Sequence, residues 1–272
     1  MSVSDIISYI EEAFDVKHYN INSKRFGLEY RNNNSKNNYQ IKRILVTLAI
    51  TYESLIYAIK NKINLIITYY GLIDKPIKNF DRYLIKKLNL LSKCSSSIYT
   101  FNTSIIASEY GTSATLAEIL FLKTDNLFKI NSDNHNSIPV GRICIPKKYP
   151  ISNANFLFED LIKRVKNNLE LENLSYIGDL NKKINKICIL ASKCPEIRKI
   201  KKIINSGCDS LVCCGINTQE AIFAKELNFN LINIPFFKIL KLTLRKFYKI
   251  LSLEFPNHKI FYFDSKYPLI KY

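Results

Sequence analysis

The sequence predicts an α/β protein built from two similar units in tandem, each a mostly parallel sheet flanked by helices. Short apolar runs typical of buried strands alternate with amphipathic segments typical of helices, which is the pattern of βαβ units. The same order of segments recurs later in the chain, so that Ile187 corresponds to Ile44 and Gly215 to Gly71. With 272 residues, 47% of them hydrophobic, the chain can bury a substantial core.

The first unit begins with a predicted helix. Ile6, Ile7 and Ile10 recur at helical spacing within residues 4–14, behind a serine that can cap the helix. Polar residues at 31–40 predict a loop. The further predicted elements are strands at 44–48, 65–68 and 98–99 and helices at 53–61, 81–92 and 113–122.

The second unit follows a polar segment at 131–138, which has the composition of a linker. The predicted domains are therefore 1–130 and 131–272. A long helix is predicted at 237–253, and a final strand at 259–264 either stays in the second unit or packs back on the first. The predicted elements that repeat the first unit are strands at 186–191, 210–215 and 230–234 and helices at 195–206 and 218–227.

The chain is strongly basic, with 40 Lys and Arg against 23 Asp and Glu and a formal charge of +17. Such an excess favours nucleic acid or another polyanion as a partner. The alternative is compositional drift, because a sequence rich in Lys, Asn, Ile and Tyr is typical of an AT-rich genome. One face of the predicted last helix either contacts nucleic-acid phosphates or is a solvated outer face. Its cations are Lys238, Lys241, Arg245 and Lys249.

The cysteine pattern indicates a cytoplasmic protein. The seven cysteines are odd in number and form no Cys-x-x-Cys pair, which favours reduced thiols. The first residues are not basic and lead into Glu11 and Glu12, so we expect no leader peptide. No apolar run reaches the length of a membrane span, so we expect no membrane partner.

Chemistry in a parallel sheet is expected beyond the carboxyl ends of its strands. The sequence has no Gly-x-Gly-x-x-Gly loop and no Gly-x-Ser-x-Gly elbow. The three histidines, His18, His135 and His258, lie away from the predicted strand ends. Cys213 and Cys214 end a predicted strand, where they are either zinc-binding thiolates or buried structural thiols.

Ten short segments follow one another in the order of a known family. They are residues 4–12, 26–29, 44–51, 64–78, 99–111, 116–120, 140–143, 175–179, 207–215 and 231–236. In this order, and with the internal duplication, the chain resembles the dinuclear-metal-centre family, whose members are also known as GTP cyclohydrolase I type 2 homologues or NIF-three-like proteins. The resemblance covers nearly the whole chain.

The resemblance implies two divalent metal ions held by histidine and carboxylate side chains, but this sequence departs from that pattern. A further family aspartate falls on Gly215. Phenylalanine, isoleucine and leucine offer no lone pair and neutral tyrosine is a poor ligand, so we expect no metal cofactor. The residues at the family ligand positions are Tyr69, Tyr70, Phe101, Ile105 (or Ser104, if one residue is inserted), Phe236 and Leu240.

The expected function follows from that departure. The leading interpretation is a NIF-three-like binding or regulatory module that is not catalytic and has lost the dinuclear metal site. The alternative is a divalent-metal-dependent hydrolase of the GTP cyclohydrolase I type 2 homologue kind that uses substitute ligands. A third possibility is a chain kept only as a folded partner. The resemblance also implies a homo-oligomer, by family habit a hexamer.

Overall fold

The computed structural model describes residues 3–15, 27–32, 42–73, 77–101, 104–131, 137–146 and 155–267. The chain divides into two compact units, which we call unit 1 (Met1–Ile105 with Lys241–Tyr272) and unit 2 (Ile106–Leu240). In chain order the elements are α1 (Val3–Ala13), β1 (Gly27–Tyr30), β2 (Arg43–Ala49), α2 (Tyr52–Lys60), β3 (Leu65–Tyr70), α3 (Arg82–Ser92), β4 (Ser97–Thr100), α4 (Ser104–Ala107), α5 (Thr112–Ile119), β5 (Leu122–Asn131), β6 (Ser137–Pro146), α6 (Phe158–Asn168), β7 (Ser175–Ile177), β8 (Ile187–Lys193), α7 (Ile197–Asn205), β9 (Ser210–Cys214), α8 (Thr218–Glu226), β10 (Asn230–Asn233), α9 (Phe236–Glu254) and β11 (Lys259–Phe263).

Unit 1 contains a sheet in the order β1-β4-β3-β2-β11. Strands β4, β3, β2 and β11 are parallel, and β1 pairs antiparallel with β4. The apolar runs of β2 and β3 are buried because helices cover the sheet, as the sequence predicts. The final strand belongs to unit 1, since β11 pairs with β2 from Lys259 to Phe263.

Local capping explains where the helices of unit 1 begin. Thr51 and Ser54 form a capping box at α2, in which each side chain accepts the other residue's main-chain N–H. The Asp81 carboxylate accepts the Leu84 N–H at the start of α3. Satisfying these N–H groups fixes the starts of both helices and positions the loops at the carboxyl ends of the strands.

Unit 2 contains a mixed sheet in the order β5-β6-β8-β9-β10-β7. Strands β8, β9 and β10 are parallel, whereas the pairs β5–β6, β6–β8 and β10–β7 are antiparallel. The expectation of a mostly parallel sheet therefore describes unit 1 but not unit 2. The reason is that a hairpin extends one edge of this sheet and β7 pairs antiparallel at the other edge.

The predicted domain boundary at residues 130 and 131 does not coincide with the division of the structure. It falls at the end of β5, which pairs with β6 from Leu122 opposite Pro146 to Asn131 opposite Ser137. Two strands of one hairpin cannot be divided between separate cores, so unit 2 begins earlier, at Ile106. Of the polar residues at 131–138, Asn131 ends β5 and Ser137 begins β6. Residues 132–136 lie outside the described residues, as does most of the predicted loop at 31–40.

The two units repeat one topology, as the sequence predicts. The series β2-α2-β3-α3-β4 in unit 1 corresponds to β8-α7-β9-α8-β10 in unit 2, with the three strands parallel in both. In each unit the strand that precedes the series pairs antiparallel with its last strand, β1 with β4 and β7 with β10. Helix α5 ends at Ile119, earlier than predicted, and Phe121 then adopts a positive φ of 52° before β5 begins.

Each unit has its own apolar core. In unit 1, Leu45, Ile66 and Ile98 of neighbouring strands pack against Leu55 of α2 and Leu91 of α3. In unit 2, the core includes Cys188 and Leu211 of the sheet and Ile200 and Ile203 of α7. Across the described parts of the chain, no helix combines the length and apolar character needed to cross a membrane.

Candidate functional site

The carboxyl edge of the unit 1 sheet gathers three of the predicted ligand positions. Tyr69 and Tyr70 end β3, and Phe101 directly follows β4. Thr68 lies opposite Thr100, and the Phe101 N–H donates to the Thr68 carbonyl at 2.8 Å, so the ladder continues to this edge. The sheet therefore brings these positions together as the parallel arrangement predicts, and their side chains are aromatic.

Phe101 is packed into an aromatic cluster, which we define as Phe14, Phe101 and Phe247. Its ring centroid lies 5.0 Å from that of Phe14 and 5.2 Å from that of Phe247, and the latter two are 5.3 Å apart. All three pairs meet edge to face, which is a favourable geometry for aromatic rings. Each of the three residues is at most 3% exposed. The position where the family resemblance predicts a histidine is therefore part of an apolar core.

The two tyrosines of β3 also contact each other, with ring centroids 4.8 Å apart. Burial, and to a smaller extent the neighbouring Tyr70, raises the pKa of the Tyr69 hydroxyl to about 12. Tyr69 is consequently a neutral phenol near pH 7, the form that binds metal ions poorly. Tyr70 is 46% exposed.

The remaining ligand positions are mostly apolar too. In unit 1, Ile105 of α4 is fully buried, and the alternative position, Ser104, is a buried serine. In unit 2, Phe236 is the first residue of α9 and Leu240 is fully buried one turn later. The family aspartate position is occupied by Gly215, whose N–H donates to the Asn233 amide oxygen at 2.9 Å.

Glu29 is a carboxylate at this edge of unit 1 that sequence reasoning missed as a candidate. One carboxylate oxygen accepts the Ile73 N–H at 2.8 Å, and the other accepts the Leu72 N–H at 3.0 Å and the Thr100 hydroxyl at 2.8 Å. These three donors use three of the roughly four lone-pair sites of the carboxylate. Glu29 lies 43 positions from Leu72 in sequence, so no spacing rule could have connected them.

The thiols that end β9 are buried and protonated. Burial raises the pKa of Cys214 to about 12, and a hydrogen bond with Cys194 together with burial raises the pKa of Cys213 well above its usual value. Because the thiolate is the metal-binding form, these surroundings favour the structural interpretation. His258 contacts Phe255, with ring centroids 5.8 Å apart, whereas His18 and His135 lie outside the described residues.

Taken together, the side chains at the family ligand positions do not fit a pair of divalent metal ions. Phe101, Ile105 and Leu240 have no donor atom, and Tyr69 is a neutral phenol. Within the described ranges, no three or more His, Cys, Asp or Glu side chains are grouped so that they could hold a metal ion.

Other segments of the family resemblance have structural roles within unit 2. The buried Arg142 guanidinium donates to the carbonyls of Ala107, Ser108, Pro139 and Gly141 at 2.8–3.2 Å. A Cβ atom on Gly141 would lie 3.0 Å from the Ile189 carbonyl oxygen, so glycine allows β6 and β8 to pair. These residues hold the hairpin and the start of unit 2 together.

The cations proposed for nucleic-acid binding on α9 are partly neutralised. In unit 1, Asp264 lies 2.6 Å from Lys241 and 3.5 Å from Arg245. Lys249 is exposed, and Lys238, which belongs to unit 2, is half-buried. Two of the four cations therefore already have a carboxylate partner.

Comparison with known proteins gives one consistent family. A model of Duf34/NIF3 (NGG1p interacting factor 3) matches residues 1–268. A GTP cyclohydrolase 1 type 2 homolog of Clostridium perfringens is 27% identical over 242 residues, which are 87% of this chain and 86% of that protein. A protein of the same name from Clostridium acetobutylicum is 24% identical over 152 residues, 55% of this chain, and the match spans about half of that protein, 54%.

Solved structures agree at the level of the fold. A Bacillus cereus protein related to NIF3 superposes with a TM-score of 0.79 at 15% identity, covering 100% of this chain and 99% of that one. Reduced HcgD from Methanocaldococcus jannaschii superposes with a TM-score of 0.77 at 22% identity, covering 97% and 98%.

Proposed function

The chain belongs to the Duf34/NIF3 (NGG1p interacting factor 3) family, and we propose that within it the protein is a non-catalytic binding or regulatory module that lacks the dinuclear metal centre. The observation that carries this proposal is the aromatic cluster. A position that the family uses for a histidine ligand is filled by Phe101, packed between Phe14 and Phe247. Fold alone does not determine activity, so these side chains are what distinguishes a binding module from an enzyme.

Apolar packing at this position supports the proposal because an apolar side chain stabilises the fold and cannot bind a metal ion. Burying an aromatic side chain typically contributes about 1.5–3 kcal/mol. A metal ion would instead need its ligands to be polar, deprotonated and open to the ion. The neutral Tyr69 phenol and the Glu29 carboxylate, which already accepts three hydrogen bonds, support the same conclusion.

The metal content of the purified, untagged protein tests the proposal. We expect far less than one ion per chain by plasma mass spectrometry, and no increase after incubation with zinc, manganese or iron followed by dialysis. One or more ions per chain that resist dialysis would overturn the proposal and favour the alternative, a metal-dependent hydrolase with substitute ligands. Cys213→Ser with Cys214→Ser, and separately Glu29→Gln, would then locate the ligands.

Self-association and a polyanionic partner complete the proposal. We infer a homo-oligomer, by family habit a hexamer, in the cytoplasm, and sedimentation velocity measures its size directly. The net charge of +17 supports a nucleic acid or another polyanion as partner. Steep salt dependence of nucleic-acid binding would support this part, and binding that is absent would refute it.

A further inference from the structure

A basic pocket in unit 2 lies where the carboxyl end of α7 meets β5. Its volume is about 520 Å³, which is within the range of small-molecule sites. Three lysines from different parts of the chain line it: Lys129 of β5, Lys186 ahead of β8 and Lys202 of α7. The residues that line it include neither aspartate nor glutamate. The pocket therefore concentrates positive charge.

The three lysines keep their charge available. Over the described residues, none of them forms an ion pair with a carboxylate. One oxygen of the nearby Asp209 carboxylate accepts the main-chain N–H groups of Asn185 and Lys186 at 2.6 and 2.8 Å. No ion pair has to be broken for an anionic ligand to use the lysines.

The helix end at the pocket does not cancel this attraction. A helix carboxyl end repels anions through its free carbonyls. Here the Ser206 N–H and hydroxyl both donate to the Lys202 carbonyl, and the Gly207 N–H donates to the Ile204 carbonyl. These bonds leave the helix dipole in place, but its equivalent of about half a negative charge is smaller than the three lysine charges, which therefore dominate the pocket.

The floor of the pocket is apolar. Phe128 of β5 and Ile143 of β6 line it, and both pack in the core of unit 2 with only 5% and 6% of their surface exposed. The lysines are therefore the main binding groups, and a matching ligand carries several negative charges close together. Lysine ammonium groups bind clustered phosphates as point charges.

We propose that this pocket binds the diphosphate or triphosphate group of a nucleotide, with the phosphates against Lys129, Lys186 and Lys202. This inference goes beyond the proposed function, because it concerns unit 2 alone and does not depend on metal content. It supplies a ligand class that a regulatory module would sense.

Calorimetric titration of the full-length protein tests the inference, with ATP, AMP and adenosine as probes in buffer containing EDTA, so that Mg²⁺ does not neutralise the phosphates. We expect affinity to fall in that order. Each exposed ion pair contributes up to about fivefold in affinity. We therefore expect ATP binding to weaken by tenfold or more in a triple variant that combines Lys129→Gln, Lys186→Gln and Lys202→Gln.

The matched control removes three exposed lysines elsewhere, with the same change in net charge: Lys60→Gln, Lys93→Gln and Lys259→Gln. We expect it to bind ATP within about twofold of the parent. Equal weakening by both variants would show a non-specific charge effect and overturn the inference. Absence of ATP binding, or adenosine binding as tightly as ATP, would also overturn it. If a labelled single-stranded oligonucleotide binds through these lysines and ATP does not, the ligand is a nucleic acid and the nucleotide assignment is wrong.

Discussion

Replacing Phe101 by histidine restores the ligand type that the family resemblance places there, and we expect it to destabilise unit 1 without creating a metal site. Phe101 is 3% exposed and its ring meets those of Phe14, Phe247 and Tyr99 at 5.0, 5.2 and 5.9 Å. An imidazole in this position has apolar rings on several sides and must bury its polar N–H group.

The size of the effect follows from these contacts. Aromatic pairs contribute about 0.5–1.5 kcal/mol each beyond burial, and histidine retains only part of that. A buried N–H without a partner costs about 1–3 kcal/mol. The sum is roughly 2–4 kcal/mol. This is a large fraction of the free energy of unfolding of a typical domain, about 5–15 kcal/mol.

Urea unfolding at pH 8, followed by circular dichroism, measures the change with the imidazole neutral; the chain has no tryptophan to report by fluorescence. Phe80→His is the matched control, because Phe80 is 67% exposed and a surface change of this kind should stay within about 0.5 kcal/mol. Zinc should leave both midpoints unchanged. Unaltered stability in Phe101→His, or a zinc-dependent rise that the control lacks, would refute the reasoning, since a ligand that binds the native state raises its stability.

Three further outcomes are expected. Arg142→Met should destabilise unit 2 by about 3–5 kcal/mol in urea unfolding because it leaves buried carbonyls without donors, whereas the exposed Arg82→Met should not; equal midpoints would contradict this role. In an ultraviolet titration, the tyrosinate absorbance that the parent shows and Tyr69→Phe lacks should appear with a midpoint near pH 12, not 10. Because the pKa of Tyr69 is raised in the folded state, its contribution to stability is complete below pH 10 and is lost as the pH rises through about 12. Iodoacetamide at pH 8 should leave the native protein unlabelled, because all seven cysteines are buried, and should modify all seven in urea; labelling of Cys213 or Cys214 in the native state would show that the strand end opens.

The repeated βαβ series could be predicted because each of its strands and helices is marked by residues that are neighbours in the sequence. Strands β2, β3, β8 and β9 are buried apolar runs, and such runs stand out from the amphipathic helices between them. The hairpin of β5 and β6 was missed because β5 is mostly exposed and polar, from Lys123 to Asn131, and therefore has the composition of a loop. Pairing with β6, not apolar character, makes it a strand.

The site was only partly predictable for a similar reason. Residue types alone were enough to show that Phe101 and Leu240 cannot hold a metal ion. Other features join residues that are far apart in the chain. Phe101 packs against Phe14 and Phe247, and Glu29 accepts a hydrogen bond from the loop after β3. Contacts of this kind depend on the folded backbone, which no spacing rule describes.

The position of β11 has a consequence for how the chain is made. Unit 2 is one continuous stretch, so during synthesis it leaves the ribosome whole, before the strand that completes unit 1. Until Lys259–Phe263 emerges, β2 is an open strand edge whose backbone groups lack their partners. Closing it requires a contact between distant parts of the chain, which makes it slow. Between the release of unit 2 and the release of β11, the newly made chain therefore carries an open strand edge that favours aggregation.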